Sequence, residues 1–486
     1  MARILHSVEP ADLLTPVAVF LKLTGALAGG TRNAFLLESI EGGTARGRYS
    51  VIGLLPDIVW RCAGGAVSVS RDGGGFAPDP LPPLDSLRAL LRESRIELPV
   101  HLPPMTAGLF GYLGYDMVRQ MERLPHPPTD DLGLPEAVLL RPSLFAIFDN
   151  VRDELTLATP LREDGDAGAG EALLARARAA LSHPLQVAAP VSGEPVAQEP
   201  RSNFTRAAFE DAVRRIQEYI AAGDVFQVVP SQRFSVDFTL PPFALYRSLR
   251  RINPSPFLFF LDLDGFSLVG SSPEVLVRLR DGEVTVRPLA GTRPRGADPE
   301  EDRRLAADLL ADPKERAEHL MLVDLGRNDV GRVAELGSVR VTQSFAIERF
   351  SHVMHISSTV VGQLRPGLDA LDALVAGFPA GTLTGAPKIR AMQIIDELEP
   401  TRRAAYAGCV GYFAADGSMD TCIGLRMAVV KDGVMHVQAG CGVVLDSVPS
   451  AEYEETRQKA RALIRAAEAA VHFAHGDGWA QSRHGS

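Results

Sequence analysis

Four Asp-Gly pairs, at Asp264-Gly265, Asp281-Gly282, Asp416-Gly417 and Asp432-Gly433, constrain this chain more than any other feature. Each separates two apolar runs, and Asp-Gly accommodates the left-handed backbone that a tight hairpin needs. The runs FLFFLDL, FSLVGSS, VLVRLR and EVTVRPL therefore read as one antiparallel meander, and YAGCVGYFA, DTCIGLRMAVV and VMHVQAGCGVV as a second. Residues 1 to about 160 add further strand runs, among them RYSVIGLLPDIVWRC and SLFAIFD, with a turn at Asp72-Gly73. Helical periodicity is confined to separate stretches: Leu84 to Arg95, Ala172 to Leu181, and Thr205 to Gly223, where Phe209, Val213, Ile216 and Ile220 share a face. Strands segregated from helices, without βαβ alternation, give an α+β fold with large antiparallel sheets flanked by helices. Length and punctuation divide the chain into a strand-rich lobe over 1–182, a Pro/Ala/Ser-rich linker over 183–203, a second lobe over 204–472 and a disordered tail over 473–486.

Bulk properties exclude several classes of function. A net charge of -10 argues against an extended nucleic-acid surface. No stretch approaches the roughly 20 apolar residues that span a bilayer, and the N-terminus MARILHSVEPADLL lacks a basic region followed by an apolar run. The four cysteines, Cys62, Cys409, Cys422 and Cys441, show no CxxC spacing, so they are expected as reduced thiols in a cytoplasmic protein.

Two helix starts carry carboxylates. Asp312 can cap a helix with Pro313 at its first position and Glu315 at its third, whose side chain can reach back to the cap; Glu318 follows one turn on, and Gly326 offers an exit. Ser450-Ala-Glu-Tyr-Glu-Glu455 opens a second helix, running to about His472, with Glu452 and Glu455 three residues apart. Two such pairs can surround a hard divalent cation, Mg2+ being the natural candidate. Glu455 and Lys459 also have the spacing of an ordinary intrahelical salt bridge, and spacing alone leaves both readings open.

Several ordered motifs resemble the large subunits of anthranilate synthases, within the chorismate-utilising enzymes. They are GDVFQVVPSQRF (223–234), PSPFLFFLD from 254, GSSPE (270–274), PLAGTRPRG (288–296), LVDLGRND (322–329), GTLTGAPK (381–388), YAGCVGYF (406–413) and AGCGVV (439–444), with LLES (36–39) and GLFGYLGYD (108–116) in the first lobe. The resemblance implies a two-lobed fold and conversion of chorismate and ammonia to anthranilate and pyruvate. It implies Glu318 and Glu455 as Mg2+ ligands beside the backbone of Gly440, Cys441 and Gly442, with Tyr406 and Arg426 gripping the enolpyruvyl carboxylate. Glu274 looks like the acid that protonates the departing C4 hydroxyl, His355 would lie by the ring carboxylate, Thr382 by the ring substituents, and Gly291-Thr292 would add contacts. Ala290 stands where aminodeoxychorismate synthases have a nucleophilic lysine, and Gln227 where isochorismate and salicylate synthases have a water-activating one. With no credible glutaminase segment in the chain, a separate glutamine amidotransferase subunit is implied, in a heterotetramer of two large and two small subunits. Ser39, with Pro256, Phe257 and Leu258, resembles the site at which tryptophan exerts feedback inhibition.

Overall fold

The computed structural model describes residues 2–474 except 42–44, 163–164, 186–198 and 351–352. Most of the expected linker over 183–203, and the expected tail beyond Ala474, lie outside the described residues.

Two long strands, Ala45–Ala63 and Ala137–Asp149, organise the sheets. They pair from Tyr49↔Asp149 to Cys62↔Ala137, with a bulge between Pro56 and Ile58, and their two halves belong to different layers. In the first layer the start of Ala45–Ala63 pairs with Ala34–Glu41, and the order continues through Phe257–Leu263, Phe266–Ser272, Met427–Lys431, Val434–Gly440 and Ser231–Asp237. In the second, the start of Ala137–Asp149 pairs with Gly108–Leu113, followed by Cys409–Ala414, Met419–Ile423, Val275–Arg280, Glu283–Val286 and Val353–Gln363. Both layers thus mix strands from the two ends of the chain.

The side-chain period of two sorts the core. Phe259 and Leu261 point between the layers, where Phe35, Phe110, Tyr112, Val410 and Tyr412 also lie, and Phe35 stacks on Phe110 at 4.8 Å. Leu258 and Phe260 point outward against helices Pro16–Leu23, Ala167–Ser182, Pro242–Ile252 and Pro449–Ala474. The outer face of the second layer is covered by Pro83–Glu93, Pro313–Gly331, Ala370–Gly377 and Lys388–Leu398. Among the described residues no helix is long and apolar enough to cross a membrane, and all four cysteines are buried and unpaired.

Three details depart from the sequence reading. The Asp-Gly hairpins form, but consecutive hairpins do not pair into meanders: Phe266–Ser272 joins Met427–Lys431, whereas Val275–Arg280 joins Met419–Ile423. The chain changes layer at Pro273-Glu274 and again at Gly424–Arg426, so the two hairpin sets interleave. Gly326 does not end its helix, which continues to Gly331; a Cβ there would meet Val286 Cγ2 at 3.1 Å, so the glycine allows close approach to the sheet. Asp312 caps as expected, accepting from Lys314 and Glu315 N–H at 2.9 and 3.3 Å, but the Glu315 carboxylate turns to Arg293 at 3.2 Å instead of reaching back.

Candidate active site

The two layer changes meet. Ile423 N–H donates to Glu274 O at 3.0 Å and Ser271 N–H to Arg426 O at 3.1 Å, so backbone bonds lock the corners together. Neither Pro273-Glu274 nor Gly424–Arg426 belongs to a strand, and the corners carry Glu274 and Arg426. Arg426 takes a left-handed φ of 47°, unusual for a long side chain and a feature that gathers at functional sites.

Glu274 is 6% exposed. Its Oε1 accepts from Thr382 Oγ1 at 3.2 Å and Leu289 N–H at 3.4 Å. Burial outweighs these bonds and the nearby Arg426 charge, and pushes the carboxyl up to about 8, with Glu348 adding repulsion. A neutral carboxylic acid at pH 7 is a proton donor in waiting. Arg426 makes no hydrogen bond or ion pair through its guanidinium among the described residues; burial lowers its pKa and attraction to Glu274 partly offsets this. A desolvated cation without a carboxylate partner is costly, and an incoming anion is its natural complement.

His355 stands on Val353–Gln363, next to the corner. Its Nδ1 lies 2.6 Å from Gly291 O and 3.2 Å from Thr292 Oγ1. A carbonyl only accepts, so Nδ1 carries the hydrogen and Nε2 the lone pair. Among the described residues that Nε2 is buried without a partner, and burial, with Arg426 and Lys459 nearby, holds the ring down at about 4. In this form Nε2 accepts, which suits a hydroxyl or an amine better than a carboxylate. The φ of 65° at Gly291 turns the Leu289–Pro294 strand here, and a Cβ would also meet Glu315 Oε2 at 3.0 Å.

The acidic helix brings Glu318 to the 440–442 turn. Glu318 Oε1 accepts from Gln227 Nε2 at 3.0 Å, and both border Gly442, whose added Cβ would lie 2.7 Å from Gln227 Nε2 and 3.6 Å from Glu318 Oε1. From the last helix, Glu455 pairs with Lys459 at 2.8 Å, and Lys459 Nζ also donates to Gly440 O at 2.9 Å. Burial, then the charges of Glu452 and Glu455, raise the Cys441 thiol well above its ordinary value. Glu318 and Glu455 thus flank the same three residues, Gly440 to Gly442. Among the described residues no three histidine, cysteine, aspartate or glutamate side chains stand close enough together to hold an ion. Like charges are nonetheless close within each helix: after burial and Arg293, Glu318 raises Glu315; Glu452 is raised by burial and then by Glu455. Carboxylate oxygens are the donor type that a hard cation takes.

Tyr406 is buried against the turn, its hydroxyl 3.0 Å from where a Gly440 Cβ would be. Arg403 lies under its ring at 5.7 Å, paired with Glu399 at 2.6 Å. The sequence-derived residues Glu274, Gly291, Thr292, His355, Thr382 and Arg426 form one cluster, and Glu318, Tyr406, Gly440, Cys441, Gly442 and Glu455 border it. Lys459, Arg287 and Glu348 were missed as site components. Only Lys459 had a local signal, its spacing from Glu455; Arg287 pairs with Glu348 at 3.0 Å beside Glu274, a tertiary arrangement with no motif.

The remaining expected set lies elsewhere, where Ala34–Glu41 pairs with Phe257–Leu263. The register Leu258↔Glu38 sets Pro256 and Phe257 beside Ser39, whose Oγ donates to Tyr49 O at 3.1 Å. Pro256 and Phe257 are half-buried, while Leu258, 1% exposed, faces the outer core. Next to Ser39, Glu38 is gripped by Tyr246 Oη at 2.5 Å and by Arg250 at 2.5 and 2.8 Å.

Residues 34–465 match the family of chorismate binding enzymes. The chain is 57% identical to anthranilate synthase component 1 of Cereibacter sphaeroides over 97% of this chain and 96% of the relative. It is 50% identical to that of Pseudomonas aeruginosa, covering 94% and 93%. Anthranilate synthase component I of Streptococcus pneumoniae superposes with a TM-score of 0.77 at 38% identity, over 86% of this chain and 92% of that one. The menaquinone-specific isochorismate synthase of Escherichia coli, 21% identical with a TM-score of 0.71 over 96% and 95%, shares the fold. With a corner site of this make-up and relatives matching nearly end to end, the chain belongs to the chorismate binding enzymes, and within them to the anthranilate synthase component 1 family.

Proposed function

We propose that this chain converts chorismate and ammonia to anthranilate, pyruvate and water. The observation that carries the reading is the buried Glu274 carboxyl, bonded to Thr382 and Leu289 N–H, with the Arg426 guanidinium near both it and the buried His355 Nε2, the last two without a hydrogen-bond partner among the described residues. Ammonia attacks the ring at C2 and the C4–O bond breaks; Glu274 gives its proton to the departing oxygen, which leaves as water. The new C–N centre loses a proton to His355 Nε2. Expulsion of the enolpyruvyl group as pyruvate, with loss of the C2 hydrogen, then makes the ring aromatic. Arg426 and Tyr406 orient the side-chain carboxylate, and the Gly440–Gly442 backbone approaches the ring carboxylate. Neither a lysine nucleophile nor a lysine base is required: Ala290 is a strand residue paired with Ile356, and Gln227 is spent on Glu318.

Glu318 and Glu455 would hold Mg2+, which supplies positive charge against the ring carboxylate when bound. Lys459 now neutralises Glu455, so a metal would have to share or displace it. Ammonia would come from a separate glutamine amidotransferase subunit, and tryptophan would inhibit by binding at Ser39, Pro256 and Phe257.

The purified chain given chorismate, ammonium and Mg2+ should generate anthranilate fluorescence, and chelating the metal should abolish it. A non-aromatic aminated product, or no product, would overturn the reading. The rate should fall as pH rises through about 8, because the acid form of Glu274 is lost there. Replacing Glu348 by Gln removes a like charge and should move that limb to lower pH; a limb that stays put would show that Glu274 is not the group observed. Ser39→Phe should abolish inhibition by tryptophan at unchanged turnover, and unchanged inhibition would remove this site.

A further inference from the structure

His319 follows Glu318 on the acidic helix and takes no part in the chemistry above, yet it is fully buried. Its Nε2 lies 2.7 Å from Ser358 Oγ, on the strand that carries His355. Ser358 Oγ also accepts the backbone N–H of Phe345 at 3.0 Å. The serine oxygen carries one hydrogen and two lone pairs, so it holds the Phe345 N–H and the His319 ring together, either giving its hydrogen to Nε2 or accepting one from it. The ring's Nδ1 has no partner among the described residues.

Phe345 is itself displaced. The pairing of Arg340–Arg349 with Val353–Gln363 slips between Gln343↔Thr359 and Ala346↔Ser357, and Phe345 sits in the slip with a left-handed φ of 51°. For an aromatic residue that backbone is an outlier, and it persists only when the surroundings over-determine it. They do so here: the ring meets His319 edge-on at 4.8 Å, and Arg316 covers it at 4.9 Å. The bulge therefore arches over Ser358 to clasp the first turns of the helix, the part that carries Glu315 and Glu318. Ser358 lies three positions from His355, so a short rigid path joins the two sides of the pocket.

We propose that His319, Ser358 and the left-handed Phe345 form a latch that pins the acidic helix to the His355 strand and sets where Glu318 stands relative to His355. They are positioning residues, and the inference rests on the reading that Glu318 and His355 both serve the reaction. Catalytic geometry is sensitive to displacements of about 1 Å, so loosening the latch should lower turnover far more than it lowers folding.

The test compares Ser358→Ala, His319→Ala and His319→Gln with Val330→Ala, a buried change on the same helix away from the pocket. Measured are melting temperature, kcat, KM for chorismate and the Mg2+ concentration giving half-maximal rate. Ser358→Ala and His319→Ala should cut kcat by roughly tenfold to a hundredfold and raise the Mg2+ requirement, with KM for chorismate little changed. His319→Gln, whose amide can either accept from or donate to the serine hydroxyl, should recover much of the loss. Val330→Ala should lower the melting temperature and leave kcat and the Mg2+ requirement alone. Activity that falls in all four variants only in step with stability, or a Gln variant no better than the Ala variant, would overturn the latch. Failure of the reading itself shows separately, as wild-type enzyme that makes no anthranilate.

Discussion

Glu274→Gln should lower kcat by about 10²- to 10⁴-fold with a much smaller change in KM, the loss expected when a positioned general acid is removed. The amide keeps the shape and can still accept from Thr382 Oγ1 and Leu289 N–H, so folding is spared. On the proposed mechanism, what disappears is the proton given to the C4 oxygen as it leaves. The alkaline limb expected near pH 8 should vanish with it, because the proposed mechanism assigns that limb to loss of the Glu274 proton. Steady-state kinetics over pH for the two proteins checks both statements. A variant that keeps wild-type turnover, or keeps the limb, would assign the acid to another group.

Glu399→Ala should have the largest effect on stability, about 3–5 kcal/mol, because it strands a buried guanidinium. Arg403 and Glu399 side chains are 1% and 2% exposed and paired at 2.6 Å, so solvent does little to screen them. Arg403 also donates to Leu383 O and Val229 O, each at 2.7 Å, and Glu399 Oε1 accepts from Ser231 N–H and Oγ, each at 2.8 Å. The pair therefore ties the segment before Ser231–Asp237, the turn holding Thr382 and the loop leading to Tyr406 into one block. Denaturant unfolding measures the loss. Replacing Arg403 as well by an apolar residue should recover part of it, since the uncompensated charge goes with it. A single variant within about 1 kcal/mol of wild type would mean that water or another carboxylate reaches Arg403.

Local chemistry made much of the architecture legible. Asp-Gly turns at Asp264, Asp281, Asp416 and Asp432 announced hairpins, and alternation in runs such as FLFFLDL announced two-sided burial, because turn conformation and side-chain direction are fixed within a few residues. Asp312 announced a helix start because its side chain satisfies nearby N–H groups. Meander pairing was illegible: whether Ser272 leads into a neighbouring strand or leaves the layer depends on what lies opposite, and that partner, Met427–Lys431, is over 150 residues away. The continuation of the helix past Gly326 was hidden for a similar reason, since Val286 and Val360 lie on remote strands.

The site divides in the same way. Motifs in the sequence named Glu274, His355, Thr382, Arg426 and the glycines of the 440–442 turn, because those stretches are distinctive letter by letter. The sequence by itself determined which elements form, where hairpins turn and which family the chain resembles. Only the tertiary structure decided the burial that pushes Glu274 up and His355 down, the setting of Arg426 without a carboxylate bonded to it among the described residues, and the clasp between Phe345 and His319. Those properties arise from desolvation and from partners supplied by separate strands, and neither exists until the two layers close over the corner where the chain crosses between them.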